Sequence, residues 1–182
     1  TQHYSYAGFA QAFPGTLSFD AAGVTQWLTQ LMAQLAGQGF RTLAIANAHL
    51  DPGHLNSLES ALVDAPLAVA FPNLTRRRLA QRLTAEFQSG ACHAGCFESS
   101  MVLCERPDLV RLSIASELVD VEASLVTAIA RGDRCFREAG GPQAYFGSPR
   151  RATALEGETS LSEMAQMLVE AVLSVASDTR KR

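Results

Sequence analysis

Two short apolar runs, each preceded by a stretch of helical periodicity, most constrain the fold of this chain. The run at 40–47 follows residues 20–37, where apolar side chains recur every three or four positions and predict a helix. A second run at 67–71 follows a predicted helix over 54–64 and ends before Pro72. Short apolar runs bounded by turn residues are typical of strands buried on both faces of a parallel sheet. The alternation therefore predicts an α/β fold with a mostly parallel sheet covered by helices.

The rest of the sequence predicts a tight turn, a single domain and four further helices. Pro14-Gly15 predicts a tight turn, because Pro presets φ and Gly accepts a positive φ. No internal repeat, low-complexity tract or linker interrupts the chain, so we expect residues 1–182 to form a single domain. Further helices are predicted over 74–87, 96–104, 117–131 and 162–176.

The charge balance and hydropathy exclude several classes of partner. Net charge is −3 and 18% of the residues are charged, so a nucleic-acid-binding surface is not expected. The basic runs at 76–78 and 180–182 are short and predict solvated surface. No apolar stretch approaches the ~20 residues of a membrane span, and no membrane partner is expected. Four cysteines without a visible export signal indicate reduced thiols and a cytoplasmic location.

The first candidate site follows the run at 40–47, where ligands bind in parallel α/β sheets. His49 and Asp51 lie two residues apart, so in extended geometry both side chains project to one side. An imidazole and a carboxylate so placed are plausible ligands for Zn²⁺ or Mn²⁺. The alternative is a hydrogen-bonded loop in which Asp51 caps the following helix.

The second candidate site surrounds His93, which small residues leave accessible to a substrate. Glu98 follows about one helical turn later, and Cys92 and Cys96 flank the histidine. The pattern is compatible with a general acid/base histidine, a metal ligand or a Cys92–His93 nucleophile pair. The alternative for the cysteines is burial as small apolar side chains, the interpretation we adopt for Cys104 and Cys135.

Four segments in this order resemble the creatininase (creatinine amidohydrolase) family. The turn at 13–18 resembles its F-P-G-T-x-S motif, and 39–49 resembles a G-F-[RK] strand that ends in N-G-H. Residues 93–100 are similar to H-A-G-x-x-E-T-S, and 145–157 resemble Y-G-D-P-x-x-A-T-x-x-x-G. The four matches cover most of the chain at family-like spacing.

This resemblance implies a three-layer α/β/α domain with a binuclear centre of divalent metal, Zn or Mn, in a homo-oligomer that is hexameric in the family. Its members hydrolyse a C–N bond of a small cyclic or linear amide with metal-activated water. His49 would ligate one metal, and Asp51 would be a shorter equivalent of a glutamate ligand to the second. His93 would be the catalytic proton carrier, oriented by Glu98. Leu50 and Cys92 would line the substrate pocket.

The sequence departs from the family pattern at several positions, and these departures leave two possible functions open. Cys92 stands where the family often has an acidic residue, and Ala48 replaces the glycine of N-G-H. The family's metal-binding stretch E-x-H-G-P-H-L-P-x-x-x-D precedes the F-P-G-T turn and has no counterpart in 1–182, so we expect an N-terminally incomplete domain. The chain is therefore expected to be part of a hydrolase whose other ligands lie elsewhere. The alternative is an inactive binding or assembly subunit.

Overall fold

The described residues form two compact units. The computed structural model describes residues 5–91 and 93–179. The first unit takes residues up to Leu79 together with those from Ala165 onward, and the second takes Ala80–Met164. Cys92 lies outside the described residues, so the structure does not address its predicted role.

The first unit contains the predicted parallel strands. Helix α1 (Ala21–Gly37) leads to strand β1 (Thr42–Ala44), and helix α2 (Pro52–Leu62) leads to strand β2 (Ala68–Ala70). The strands pair in parallel, with Leu43 opposite Val69. Both strands are shorter than the apolar runs that contain them. The predicted α/β class and parallel pairing are confirmed.

Helix α1 begins and packs as its sequence pattern predicts. The Asp20 carboxylate accepts the Gly23 N–H at 2.6 Å and so satisfies a backbone donor of the first turn. The side chains that recur at helical spacing enter a hydrophobic core with residues of α2 and the residue just before β2. Its buried members are Val24, Leu28, Met32, Leu58, Ala61 and Leu67.

The predicted turn at Pro14-Gly15 is also confirmed. The Phe13 carbonyl accepts the Thr16 N–H at 3.2 Å, and Gly15 has φ +91°. A positive φ at the third residue of a turn requires glycine or asparagine, which explains the Pro-Gly pair.

Two of the predicted helices are wrong in extent. The 74–87 pattern forms two short helices, α3 (Arg77–Ala80) and α4 (Ala85–Ser89), and Thr84 caps the second through the Phe87 N–H. The pattern at 117–131 yields helix only at α7 (Leu125–Arg131), preceded by α6 (Leu112–Ala115). Thr84 and Ser124 are the cause, since each side-chain oxygen accepts an N–H and starts a new helix.

The predicted helices at 96–104 and 162–176 are both present, the second as part of a longer helix. Helix α5 (Cys96–Glu105) has nearly its predicted bounds, and α8 (Ala154–Thr179) extends beyond the predicted 162–176. Within the second unit, aromatic side chains form the core around α5. The Phe87 and Phe97 rings meet edge to face at 5.0 Å, and Phe146 is fully buried. Of the helices in residues 5–91 and 93–179, none has the length and apolarity needed to cross a membrane.

Candidate functional site

The first candidate site lies where β1 ends and α2 begins, in the first unit. His49 is exposed, and its Nε2 donates to the Tyr6 carbonyl at 2.7 Å. Leu50 is half-buried beside it. The strand end therefore presents an imidazole at the position that parallel α/β sheets use for ligands.

Asp51 is the N-cap of α2. Its Oδ1 accepts the Gly53 N–H at 2.9 Å, and its Oδ2 accepts the Phe9 N–H at 3.1 Å. The capping role that the sequence left open is thus present in the structure. A carboxylate oxygen can accept more than one bond, so these two hydrogen bonds do not prevent Asp51 from binding a metal. Its role as a metal ligand stays a prediction.

His54 is a site residue that sequence reasoning did not single out. It is 6% exposed, and its ring lies 4.9 Å from that of His49, centre to centre. Nε2 donates to Asn47 Oδ1 at 2.8 Å, so Nδ1 is the acceptor of the Ser5 hydroxyl. Burial and the His49 charge lower the pKa of His54 to about 4, against the opposing charge of Asp51. His54 is therefore a neutral, buried support for the loop that carries His49.

The second candidate site surrounds His93 in the second unit. The imidazole is partly exposed and stacks on Phe136, with ring centres 4.2 Å apart and planes 21° apart. Its Nδ1 lies 3.8 Å from Glu98 Oε2, within ion-pair distance when the ring is protonated. The structure thus places the His93 imidazole near the Glu98 carboxylate. Phe136 had no signal in the sequence because it lies 43 residues further along the chain.

Glu98 is a partly buried carboxylate held by the loop before it. Its Oε2 accepts the Ala94 N–H at 2.6 Å. Burial raises the pKa of Glu98, the Ala94 bond lowers it in part, and the Glu86 charge raises it further. Ala94 has φ +50°, a left-handed conformation that aims its N–H at this carboxylate. The H-A-G segment is therefore folded around Glu98.

Cys96 is buried, as the alternative interpretation of the cysteines expects. Its Sγ lies 3.5 Å from Glu156 Oε2 and 3.7 Å from Ser100 Oγ. Burial raises the pKa of the thiol to about 11, and the Glu156 and Glu86 charges act in the same direction. A thiol of this kind is a poor nucleophile at neutral pH.

Among residues 5–91 and 93–179, the metal donors that lie together are too few for a binuclear centre. His49, Leu50 and Asp51 belong to the first unit, whereas His93 and Glu98 belong to the second. Within the ranges that the structure describes, no three His, Cys, Asp or Glu side chains group together as metal ligands. His49 and Asp51 have the right donor chemistry for Zn²⁺ or Mn²⁺, but a site of this kind needs at least one further protein ligand per metal.

Comparison with known proteins identifies the family. The family model described as creatininase, creatinine amidohydrolase, matches residues 1–172. No curated protein sequence matches the chain significantly. The chain belongs to the creatininase family.

Solved structures of creatininase share the fold. A tryptophan-to-phenylalanine variant of creatininase is 25% identical, with TM-score 0.65 over 93% of this chain and 72% of that one. A second such variant, termed type II, is 25% identical with TM-score 0.63, over 94% and 70%. A structure titled creatininase Mn is 23% identical with TM-score 0.58, over 94% and 70%. The creatininase-like fold predicted from the four segments is confirmed.

Proposed function

We propose that this chain takes part in hydrolysing a C–N bond of a small cyclic or linear amide, with His93 as the proton carrier. The observation that carries the proposal is the setting of His93. In a chain of the creatininase family, a partly exposed imidazole is stacked on Phe136 and lies within ion-pair distance of Glu98. A positioned histidine of this kind is the commonest general acid/base in enzymes.

The proposed work of His93 is to protonate the leaving nitrogen. Amide C–N cleavage requires a proton on that nitrogen, because the departing amide anion is too basic to leave unassisted. The Phe136 stack limits rotation of the ring, and Glu98 Oε2 lies 3.8 Å from its Nδ1. His93 and Glu98 therefore act as one proton-transfer pair in this proposal.

Metal dependence belongs to the same proposal, with His49 and Asp51 as this chain's ligands. A divalent ion, Zn²⁺ or Mn²⁺, supplies an activated water in reactions of this class. His49 and Asp51 alone do not complete the coordination of two metal ions, so a binuclear centre would need donors besides them. Leu50 is assigned to the substrate pocket on its position beside His49, and the same assignment for Cys92 rests on the sequence alone. A homo-oligomer, hexameric in the family, is the expected assembly.

Two measurements test the proposal on the intact gene product. Elemental analysis should find about two bound divalent ions per subunit, and a protein without bound Zn or Mn would overturn the metal assignment. On a panel of small cyclic and linear amides, His93→Ala should reduce kcat by about 100-fold or more, the range of general acid catalysis. The control Gln143→Ala, an exposed position in the same unit, should leave activity unchanged.

A second candidate function is a binding or assembly subunit without catalysis. It is favoured by the loop after β1, where Asp51 caps α2 and His49 is bonded to Tyr6, so both residues have structural roles without metal. A folded, metal-free gene product with no hydrolysis of any amide on the panel would select this alternative.

A further inference from the structure

Glu86 bridges two segments that follow His93 in the chain. It lies in the first turn of α4, seven residues before His93. Its Oε1 accepts the Phe97 N–H at 2.8 Å, and its Oε2 accepts the Ser148 N–H at 2.7 Å. Hydrogen bonds to an ionised carboxylate are stronger than those between neutral groups. A single side chain thus joins the N-terminus of α5 to the loop at 145–148.

The second of these segments is bonded directly to His93. The Phe146 N–H donates to the His93 carbonyl at 2.7 Å. Phe146 also lies 5.8 Å from Phe136, ring centre to ring centre, and Phe136 carries the His93 imidazole. The backbone and the ring of His93 are therefore both supported by the segment that Glu86 holds.

Two glycines allow the carboxylate to approach this closely. A Cβ built on Gly95 would collide with Glu86 Oε1 and with the Phe146 carbonyl oxygen. A Cβ on Gly147 would collide with Glu86 Oε2, and Gly147 also has φ +87°. Both glycines lie within motifs of the sequence, H-A-G and Y-F-G. Because glycine has no side chain, both positions leave space for the Glu86 carboxylate.

We propose that Glu86 is a positioning residue for His93. The Glu86 carboxylate holds the Phe97 N–H, four residues after His93, and the Ser148 N–H, in the segment whose Phe146 is bonded to the His93 carbonyl. These contacts hold the imidazole on Phe136, within reach of Glu98. Glu86 acts on the substrate only through His93. This inference rests on the proposed function for its catalytic consequence, but the placement of the imidazole is independent of it.

The test compares Glu86→Gln with Glu86→Asp in the full chain. The glutamine amide has one acceptor oxygen, and its NH₂ group faces one of the two N–H donors, so one bond is lost. The aspartate has the charge and both oxygens but is one methylene shorter. The matched control is Glu158→Gln, an exposed glutamate of the same unit. Circular dichroism and thermal unfolding establish that each variant is folded.

The first readout is the rate at which diethyl pyrocarbonate modifies His93, measured by mass spectrometry. It is independent of any enzymatic activity. We expect Glu86→Gln to raise this rate by about threefold or more, because the ring leaves its stack, with a smaller rise in Glu86→Asp. The rate at His49, in the first unit, is the internal control and should be unchanged. The Glu158→Gln control should match the wild type at both histidines.

The second readout separates kcat from KM on an amide that the wild type hydrolyses. Misplacing a proton carrier by about 1 Å reduces turnover by up to 100-fold, so kcat should fall by about tenfold or more with KM nearly unchanged. Partial recovery of kcat in Glu86→Asp would support positioning by the carboxylate.

Distinct outcomes overturn the two proposals. Wild-type labelling of His93 in a folded Glu86→Gln protein would overturn the positioning role, whatever the activity. Failure of both variants to fold would also overturn it, because Glu86 would then serve the unit as a whole. A wild type that hydrolyses no amide, together with faster His93 labelling in Glu86→Gln, would overturn the proposed function and support the positioning of the imidazole.

Discussion

The backbone N–H of Phe146 donates to the carbonyl of His93 at 2.7 Å, although 53 positions separate the two residues. The bond joins two of the four segments that resemble the creatininase family, the one beginning at His93 and the one beginning at Tyr145. The two segments are therefore in direct contact, and the second one supports the backbone of His93. Several measurements follow from the contacts around these residues and from the buried polar groups of both units.

Replacing Phe136 with leucine should destabilise the second unit and release His93. The substitution removes the stack on His93 at 4.2 Å and the contact with Phe146. Aromatic pairs contribute about 1 kcal/mol beyond area burial, so we expect the free energy of unfolding to fall by about 1–2 kcal/mol in chemical denaturation. Phe40→Leu, at a ring that is 55% exposed, is the control and should change it by less than about 0.5 kcal/mol. Equal effects of the two substitutions would contradict the stacking role.

Acid should destabilise the metal-free chain through His54. Its pKa is lowered from 6.5 to about 4 in the folded state, so the unfolded state binds more protons between these values. The contribution of His54 to stability is complete above pH 6.5 and is lost as the pH falls to 4. At about 1.4 kcal/mol per unit of pKa shift, the change is on the order of 3 kcal/mol.

The measurement for His54 is urea denaturation from pH 4 to 7 in the presence of a chelator. His54→Gln removes the titrating ring, and its free energy of unfolding should vary less with pH than that of the wild type. The other titrating groups are common to both proteins, so the difference between the two curves reports the titration of His54 together with its coupling to the neighbouring His49. Parallel curves would show that the ring does not titrate as proposed.

Cys96 should be alkylated more slowly than Cys104 or Cys135 in the native protein. It is 8% exposed and its thiol has a pKa of about 11, so on the order of one molecule in a thousand is thiolate at pH 8. Cys104 and Cys135 are only partly buried, so the burial predicted for them from the sequence is incomplete. Iodoacetamide labelling with fragment-resolved mass spectrometry checks the order, and the urea-unfolded protein, in which the three rates converge, is the control. Rapid native labelling of Cys96 would contradict its burial.

Ser160→Ala should stabilise the second unit. The serine is 2% exposed, and its hydroxyl has no hydrogen-bond partner among the described residues. Removing a buried hydroxyl without a partner should raise the free energy of unfolding by about 1 kcal/mol. Ser162→Ala, exposed on the same helix, should give only the few tenths of a kcal/mol expected from helix propensity. A destabilised Ser160→Ala protein would contradict the inference that this hydroxyl lacks a partner.

Local patterns in the sequence predicted the elements whose cause is local. The 20–37 pattern and the Asp20 cap produce α1, and Pro14-Gly15 produces its turn, because each depends on residues within about one helical turn of each other. The extents of the 74–87 and 117–131 helices were wrong because Thr84 and Ser124 start new helices inside those patterns. A serine or threonine within a continuous helical pattern is only weak evidence that one helix ends and another begins there.

The candidate sites were also predictable only in part. Spacing alone pointed to His49 with Asp51 and to His93 with Glu98, and the second pair is 3.8 Å apart in the structure. Asp51 shows the limit of such reasoning, because one carboxylate suits both a metal ligand and a helix cap, and the cap is what the structure contains. Metal ligation by His49 and Asp51 stays a prediction, as does the pocket role of Leu50 and Cys92.

The α/β class, the creatininase family and the choice of His93 as the centre of the second site could all be inferred from the amino-acid sequence. Only the tertiary structure assigned Phe136, Glu86 and His54 their places around the two candidate sites. The difference comes from the range of the interactions. Periodicity and turn chemistry act between neighbours in the chain, whereas the ring stacking on His93 and the hydrogen bond from the Ser148 N–H to Glu86 join segments more than 40 residues apart. These contacts exist only once the chain has folded.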